Sequence, residues 1–339
     1  VQAALGGRFR AELVPVRARA VPAAALSSVL RGRPLTVERH RLWEVEERVR
    51  RLLAAESFDV VQAEQVQAVA QAAPAGRAGV PLVYRAHNVE SALWTYAAAF
   101  ARPLAAMLLR LEARRLAAAE RAAVRRADAT IVLTELDAAP MRRAVGPGPR
   151  IERLPVPHAA RLPAADAALA GRPAVVTLAS PSWMPSRETA LQVAAQWWPV
   201  VRRRLPGAIL HCFGGVDGGP LEGVEWHGAP ADSAAAFPRD AVLAIPARHP
   251  TGVPVKALEA WARGLPVVAS SETAAALEAT AGRELVVTDG PEALAEGLER
   301  LVGDPALRAR LVEGGRARLR SHHDQAIVAG RLAELYRSL

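Results

Sequence analysis

Residues 241–270 read AVLAIPARHPTGVPVKALEAWARGLPVVAS. The pattern of this run predicts a buried strand at 241–245, a loop at 246–253, a helix at 254–263 and a second buried strand at 265–270. A strand, a crossover helix and a second strand in this order are typical of a parallel sheet. The run therefore indicates an α/β fold.

The predicted helix carries start and stop signals. Pro254 lies in the first turn, where the missing N–H costs nothing, and Gly264 follows the last turn, where glycine ends helices. The spacing predicts an apolar face of Val255, Leu258 and Ala262 and a polar face of Lys256, Glu259 and Arg263.

The start of this helix is a candidate anion site. Helix N–H groups and the positive end of the helix dipole meet at the strand ends of such a unit. Lys256 is the only lysine of the chain, and its ammonium group would add a full charge there. Glu259, one turn later, could accept hydrogen bonds from sugar hydroxyls. The alternative is an ordinary ion pair between Lys256 and Glu259.

The run resembles the donor-site segment of retaining glycosyltransferases of family 4 (group 1), which have the GT-B fold of two Rossmann-like domains. It is most similar to the subgroup that reads G-x-x-N-K-x-L-E-A-x-A-x-G-x-P-V-V. The matching residues are Gly252, Lys256, Leu258, Glu259, Ala260, Ala262, Gly264, Pro266, Val267 and Val268. Val255 stands where the subgroup has asparagine, and Thr251 where the wider family has a first glutamate.

The resemblance implies a function and roles for residues. It implies transfer of a sugar from a nucleoside-diphosphate donor with retention of configuration, without a metal or a separate cofactor. Glu259 matches the glutamate that contacts the ribose, and Gly252 and Val253 lie at the helix start that binds the diphosphate. Lys256 would meet the charge of the leaving diphosphate. The acceptor is left open: a glycan, a lipid-linked sugar or a small molecule.

A second motif follows the predicted strand 80–84. His87-Asn88-Val89-Glu90 lies in a loop where an α/β sheet places its ligands, and Asn88 is the only asparagine. The subgroup has a matching H-N-V-E, which implies that His87 contacts the donor phosphate and joins Lys256 and Glu259 as a catalytic residue. The alternative is that Asn88 caps a helix beside an ordinary loop histidine.

Further donor contacts are predicted in the second half. The segment SPSWMPSR, 180–187, departs from the family pattern, but Ser182 and Arg187 could reach phosphate. An exposed first-turn arginine is an equal interpretation of Arg187. Arg248 is a further phosphate candidate, and His227 and Gly228 lie where the family reads the nucleobase.

The 339 residues suffice for two domains. We expect an N-terminal acceptor-side domain over 1–155, a donor domain over 156–322 and a helix over 323–339 that crosses back to the first domain. The proline-rich stretch 155–173 reads as the linker. The family's first strand and glycine-rich loop have no counterpart, so the N-terminal domain is expected to be truncated.

Element predictions follow from apolar runs and periodicity. In the first half they are strands at 11–16, 58–63, 80–84 and 129–134 and helices at 37–55, 91–127 with a break near Pro103, and 135–144. In the second half they are strands at 174–179, 208–213, 224–226 and 284–288 and helices at 186–204, 291–302, 305–321 and 324–338.

The amino-acid composition indicates which classes of ligand the protein can bind. A net charge of +9 suits anionic ligands such as nucleotide-sugars, while dispersed arginines and few aromatic residues disfavour nucleic acid. The single cysteine, Cys212, excludes an internal disulfide and a cysteine metal cluster, and we expect no metal site. With no apolar run of about 18 residues and no signal peptide, we expect a cytoplasmic protein.

Three interpretations stay open. The arginine-rich stretch 107–126 would suit the inner face of an anionic membrane, although a solvated helix face is the ordinary alternative. Glu64 and Glu135 could bind an acceptor, but capping of the next helix is favoured. A non-catalytic GT-B-like partner subunit, or less readily a nucleotide-sugar epimerase, would share these motifs.

Overall fold

The computed structural model describes residues 10–165, 168–246 and 252–339. The chain divides into two compact units. The first unit comprises Val1–Val132, Pro140–Glu152 and Tyr336–Leu339, and the second unit comprises Leu133–Ala139 and Arg153–Leu335.

The first unit is built on a four-stranded sheet in the order β1-β2-β3-β4. The strands are β1 (Val61–Glu64), β2 (Leu82–Ala86), β3 (Ala129–Val132) and β4 (Ile151–Arg153). The helices are α1 (Val21–Arg31), α2 (Leu35–Arg39), α3 (Trp43–Ala55), α4 (Val66–Val69), α5 (Pro74–Ala78), α6 (Glu90–Ala99) and α7 (Pro103–Arg126). Helix α8 (Glu135–Val145) is divided between the units and belongs to the first from Pro140 onward. The pairs β1–β2 and β2–β3 are parallel, and the predicted break near Pro103 is confirmed.

Two predictions for the first unit are wrong. Residues 10–20 form neither strand nor helix. Leu13 is 95% exposed, so the apolar run at 11–16 is not packed into a core. The predicted helix 37–55 is divided into α2 and α3. The amide of Gln71 donates to the carbonyl of His40 between them, so a tertiary hydrogen bond takes an acceptor that a continuous helix would use.

The second unit is a six-stranded parallel sheet in the order β10-β9-β8-β5-β6-β7. Its strands are β5 (Ala174–Leu178), β6 (Ile209–Phe213), β7 (Val224–Trp226), β8 (Val242–Ile245), β9 (Val267–Ala269) and β10 (Val286–Val287). The helices are α9 (Met184–Gln192), α10 (Trp198–Arg204), α11 (Val255–Arg263), α12 (Ser271–Ala276), α13 (Pro291–Gly303), α14 (Pro305–Arg318) and α15 (Gln325–Arg337). The predicted α/β class with two Rossmann-like halves is confirmed.

Apolar cores lie on both faces of this second sheet. Alternate strand residues face opposite sides, so Val176 and Leu243 belong to one core and Val175 and Val242 to the other. Helix α11 covers the first face, while α10 and α13 cover the second. Burial on both faces explains why these strands read as continuous apolar runs in the sequence.

Helix α11 forms as predicted, but its faces differ from the prediction. Val255 is 44% exposed rather than packed, whereas Arg263 is buried. The helix is covered around most of its circumference because Trp261, fully buried, packs against Gly315, where a Cβ atom would come within 2.3 Å of the indole ring. A helix embedded this deeply has no simple division into polar and apolar faces.

Candidate active site

The strand order of the second unit creates a crevice at one defined place. From β5 the chain proceeds to β6 and β7 on one side of the sheet, and from β8 to β9 and β10 on the other. The loops that leave β5 and β8 therefore diverge at the carboxyl ends of these strands. Ligands of open α/β sheets bind at such a switch point. The two segments predicted to bind phosphate, 180–187 and 246–254, follow these two strands.

The loop after β8 ends in a buried turn. Arg248 and Thr251 lie outside the described residues. Gly252 is buried with a φ of +69°, a conformation that favours glycine. The carbonyl of Val253 accepts from the N–H of Val255 at 2.8 Å.

Asp137 of the second unit supports this turn. Burial raises the pKa of Asp137, while hydrogen bonds from the Thr134 hydroxyl and the Gly252 N–H oppose the shift. The Thr134 hydroxyl donates to this carboxylate at 2.7 Å. Asp137 could not be predicted from the sequence, because no local pattern links positions 137 and 252.

Lys256 projects to the end of β5. Its ammonium group donates to the carbonyl of Leu178 at 2.8 Å, and burial lowers the pKa of Lys256 to about 8. The alternative of an ion pair with Glu259 is wrong, since Glu259 pairs with Arg263 instead. The partner of Lys256 is a neutral carbonyl, so its positive charge is not compensated by that contact.

Glu259 lies one turn further along α11 in a partly buried network. Its Oε1 accepts from the Ser233 hydroxyl at 2.7 Å and from Nε and Nη2 of Arg263 at 3.0 and 2.9 Å. Arg263 also donates to the carbonyl of Pro163. Oε2 of Glu259 accepts no hydrogen bond from any residue that the structure describes. The carboxylate is thus oriented through one oxygen and has its other oxygen left for a ligand.

Ser182 and Arg187 lie in the loop after β5 and at the start of α9. The Ser182 hydroxyl shares a hydrogen bond of 2.9 Å with the Ser180 hydroxyl. Arg187 is exposed and its Nη1 donates to Glu188 at 2.8 Å. Both side chains are accessible at the switch point, and Arg187 already has an anionic partner.

His227 and Gly228 follow β7 and close onto the loop after β6. Their carbonyls accept from the N–H groups of Gly215 and Gly214, at 3.0 and 3.3 Å. Gly214 has a φ of +116°, and a Cβ atom there would lie 1.9 Å from the carbonyl oxygen of Ala179. This close approach requires glycine. Burial lowers the pKa of His227, the nearby His211 lowers it further, and Glu225 opposes the shift.

The predicted histidine loop lies in the first unit. His87 follows β2, and its Nε2 is 2.6 Å from a carboxylate oxygen of Glu64, which ends β1. The amide of Gln65 is 3.2 Å from Nδ1 of His87. The favoured interpretation of Glu64 as a helix cap is wrong, since α4 has no side-chain cap. Parallel strands β1 and β2 end side by side, and this brings the two residues together.

The alternative interpretation of Asn88 as a helix cap is also wrong. Helix α6 begins at Glu90, with Val89 at its cap position and no side-chain cap bond there. Instead the buried Glu120 of α7 accepts from the hydroxyl of Ser91 at 2.6 Å. Burial raises the pKa values of both Glu90 and Glu120. Glu120 holds the start of α6 from the next helix, and no sequence pattern predicted this contact.

Two protein-family models match this chain, one in each half. A family model described as "Glycosyl transferase 4-like domain" matches residues 2–157, and one described as "Glycosyl transferases group 1" matches residues 172–304. Together they span most of the chain. The chain belongs to the glycosyltransferases. No curated protein matches it by sequence.

Solved structures agree with this glycosyltransferase in fold. Sucrose-phosphate synthase from Thermosynechococcus elongatus is 19% identical with a TM-score of 0.69, over 88% of this chain and 77% of that one. HepE of Anabaena in complex with UDP-glucose is 18% identical with a TM-score of 0.61, over 87% and 82%. Trehalose 6-phosphate synthase from Burkholderia multivorans is 16% identical with a TM-score of 0.62, over 90% and 75%. Identities this low establish the GT-B fold alone.

The family matches support transfer of a sugar from a nucleotide-sugar by this glycosyltransferase. No helix in the described part of the chain has both the length and the apolar character needed to cross a bilayer.

Proposed function

We propose that the protein transfers a sugar from a nucleoside-diphosphate-sugar to an acceptor with retention of configuration and without a metal ion. The observation that carries the proposal is the position of Lys256. Its desolvated ammonium group lies at the end of β5, at the switch point of the second unit's sheet. A charge in such a site interacts with an anion far more strongly than an exposed charge does.

In the proposed reaction the bond between the anomeric carbon and the diphosphate oxygen breaks, and the bond to the acceptor oxygen forms on the same face. The acceptor proton passes to an oxygen of the departing diphosphate. Negative charge grows on that diphosphate, and Lys256, the helix start at Gly252 and Val253, and His87 are proposed to meet it. Arg248, Ser182 and Arg187 would supplement them at the phosphates.

Glu259 is proposed to bind the ribose through Oε2. Its other oxygen is occupied by Ser233 and Arg263, which fixes the plane of the carboxylate before a ligand arrives. Preorganisation of this kind lowers the cost of binding. The backbone at His227 and Gly228 is proposed to contact the nucleobase.

A membrane contact is proposed for α7. Its exposed apolar residues lie at helical spacing on one side, at Leu104, Met107, Leu108 and Leu111. Arg110 and Arg114 are exposed on the same helix. A basic helix with an apolar face binds anionic lipid, which would bring the enzyme to a lipid-linked acceptor. Co-sedimentation with phosphatidylglycerol vesicles should exceed that with phosphatidylcholine vesicles, and equal sedimentation would exclude this contact.

The test of the main proposal is donor binding followed by product analysis. UDP, GDP and ADP are added to the purified protein with EDTA, and at least one should raise the melting temperature. UDP-glucose is the first donor to assay, since HepE was crystallised with it. Retention is read from the anomeric configuration of the product. Equal melting temperatures with and without all three nucleotides would contradict the donor site.

The two alternatives give different outcomes. A non-catalytic partner subunit would bind a nucleotide but show no turnover with any donor, and an epimerase would release an isomerised sugar without an acceptor. The Oε2 atom of Glu259 and the uncompensated charge of Lys256 fit all three, so product analysis decides between them.

A further inference from the structure

Three potential metal ligands meet on one face of the sheet, at the edge strand β7 and its neighbour β6. His211 lies opposite Glu225 in the parallel register of the two strands. His227 comes two residues after Glu225, and side chains two apart along a strand point to the same face. Within residues 10–165, 168–246 and 252–339 this is the one group of three such ligands whose donor atoms all lie within 4.8 Å of one another.

The spacing of the donor atoms fits a small ion. Nδ1 of His211 is 3.0 Å from Nε2 of His227 and 3.3 Å from a carboxylate oxygen of Glu225, and that oxygen is 3.8 Å from Nε2 of His227. Zinc binds such atoms at about 2.0–2.2 Å in a tetrahedron, which separates the ligands by about 3.3–3.6 Å. The side chains therefore need only small rotations to surround an ion.

The tautomer of His211 leaves the required nitrogen available. Its Nε2 is 2.9 Å from the carbonyl of Ala170, and a carbonyl can only accept, so Nε2 carries the proton. Nδ1, which faces Glu225 and His227, then carries the lone pair of the neutral ring. A backbone carbonyl on the outer nitrogen is the common way to orient a metal-binding histidine. His211 is fully buried, so its ring is already fixed.

The other two ligands combine order with access. The ring of His227 stacks on Phe213 with the centroids 4.3 Å apart, which limits its rotation. Glu225 has 47% of its side chain exposed, so an ion has a route from solvent. We propose that His211, Glu225 and His227 form a binding site for one divalent transition metal of the zinc class, with a fourth position open to solvent or a ligand.

The donor set selects the class of metal. Two imidazoles and one carboxylate suit zinc, cobalt and nickel, whereas magnesium and calcium prefer sites made of oxygen atoms. The ion would connect β6 to β7, which is the edge strand of the sheet, and would stabilise the folded second unit by mass action. The ion would use the ring of His227, whereas the proposed nucleobase contact uses the backbone there, and the proposed sugar transfer needs no metal.

Co²⁺ and Zn²⁺ titrations of the tag-free, metal-stripped protein test the site in the absence of nucleotides. One equivalent of Co²⁺ should give the visible absorption of a four-coordinate nitrogen and oxygen site, and Zn²⁺ should displace it and raise the melting temperature. Glu225→Gln and His227→Gln should each weaken Zn²⁺ binding at least about tenfold, since loss even of an outer-shell partner costs 10–100-fold.

Glu222→Gln is the matched control. Glu222 lies in the same part of the chain, is 86% exposed and pairs with Arg202, and its variant should bind Zn²⁺ as the parent does. Absence of a one-equivalent Co²⁺ site, unchanged affinity in Glu225→Gln and His227→Gln, or equal weakening in the control would each overturn the proposal. Glu225 and His227 lie outside the apolar cores, so these two variants should fold as the parent does. His211 is fully buried, and for that reason it is not substituted.

Discussion

Lys256 and His87 both carry nitrogen groups that can be positively charged, and both lie at the ends of parallel strands. They differ in exposure to solvent and in the charge of their partners. The ammonium group of Lys256 is withdrawn from water and donates to a neutral carbonyl. The ring of His87 is 39% exposed and faces the Glu64 carboxylate, itself 45% exposed. Lys256 therefore offers a net positive charge to an anion. A protonated His87 would instead form a pair with the Glu64 carboxylate that has no net charge.

This difference separates two tasks. We infer that a desolvated charge such as that of Lys256 favours an anion in every state of the reaction, so that most of its effect is on donor binding. A histidine with a carboxylate partner can exchange or share a proton as charge develops, which serves the chemical step. We therefore expect substitutions at Lys256 to change donor affinity and substitutions at His87 to change turnover.

The largest effect is expected for Lys256→Met, which keeps the apolar stem and removes the charge. Loss of a desolvated charge opposite an anion costs about 2–5 kcal/mol, a factor of roughly 30 to several thousand in the Kd of the nucleoside diphosphate. Calorimetry measures it. Arg320→Ala is the control, since this exposed arginine of the same unit is paired with Glu313 and such pairs are worth about 0–1 kcal/mol. Equal losses in the two variants would remove the contrast between buried and exposed charge.

His87→Gln should reduce turnover about 10²–10³-fold, the usual cost of removing one donor to a developing charge. Donor affinity should stay close to that of the parent protein. Glu64→Gln, which keeps a polar partner but removes its charge, should lower turnover less. Glu47→Gln, a carboxylate of the same unit that pairs with Arg50 and Arg51, serves as the control. A large rise in Kd with unchanged turnover would reverse the division of tasks.

Glu259→Gln should weaken donor binding by about 1.5–3 kcal/mol, since the amide keeps only part of the charge-assisted bonds to ribose hydroxyls. On the polar helix face predicted from the sequence, the substitution would have left stability unchanged. The structure requires a lower melting temperature as well, because the buried Arg263 loses its anionic partner.

Ser233→Ala separates the two effects of Glu259. It removes a donor to Oε1 and leaves Oε2 untouched, so donor affinity should hold. Weakening of the donor in Ser233→Ala to the level of Glu259→Gln would show that the network, and not a ribose contact, is what the substitution disturbs.

Local signals in the sequence were sufficient for most of the elements. The run at 241–270 gave β8, α11 and β9, because apolar strands, a proline start and a glycine stop are local features. The strand order then places the carboxyl ends of β5 and β8 side by side, where open α/β sheets bind ligands. The strand predicted at 11–16 is absent because an apolar run forms a strand only where it pairs with a sheet and packs against a core.

Partners of side chains could not be predicted, since they depend on contacts between distant positions. Lys256 bonds to Leu178, 78 positions earlier, and Glu64 meets His87 across two strands. The group His211, Glu225 and His227 was missed as well. The pattern Glu-x-His at the end of a strand was visible, but its pairing with His211 follows only from the register of β6 and β7.

The smallest expected effect is a pH dependence that distinguishes the Lys256 site from an exposed lysine. Burial holds the pKa of Lys256 at about 8, below its ordinary value of 10.5. The ammonium form, which binds the diphosphate, is therefore lost as the pH rises through about 8. We expect the Kd of the nucleoside diphosphate to rise about tenfold between pH 7 and pH 9, because the charged fraction falls about tenfold over that range.

Stability of the free protein should respond in the opposite direction. Between pH 8 and 10.5 the unfolded chain keeps the Lys256 proton while the folded chain has lost it, so the free energy of unfolding rises with pH in this window. The parent protein and Lys256→Met are compared by denaturant titration, and the difference isolates the lysine from other groups. Lys256→Arg, which stays charged, should bind the nucleotide with no such pH dependence. A parent Kd that stays flat from pH 7 to 9 would mean that the ammonium group is solvated, and the contrast with His87 would disappear.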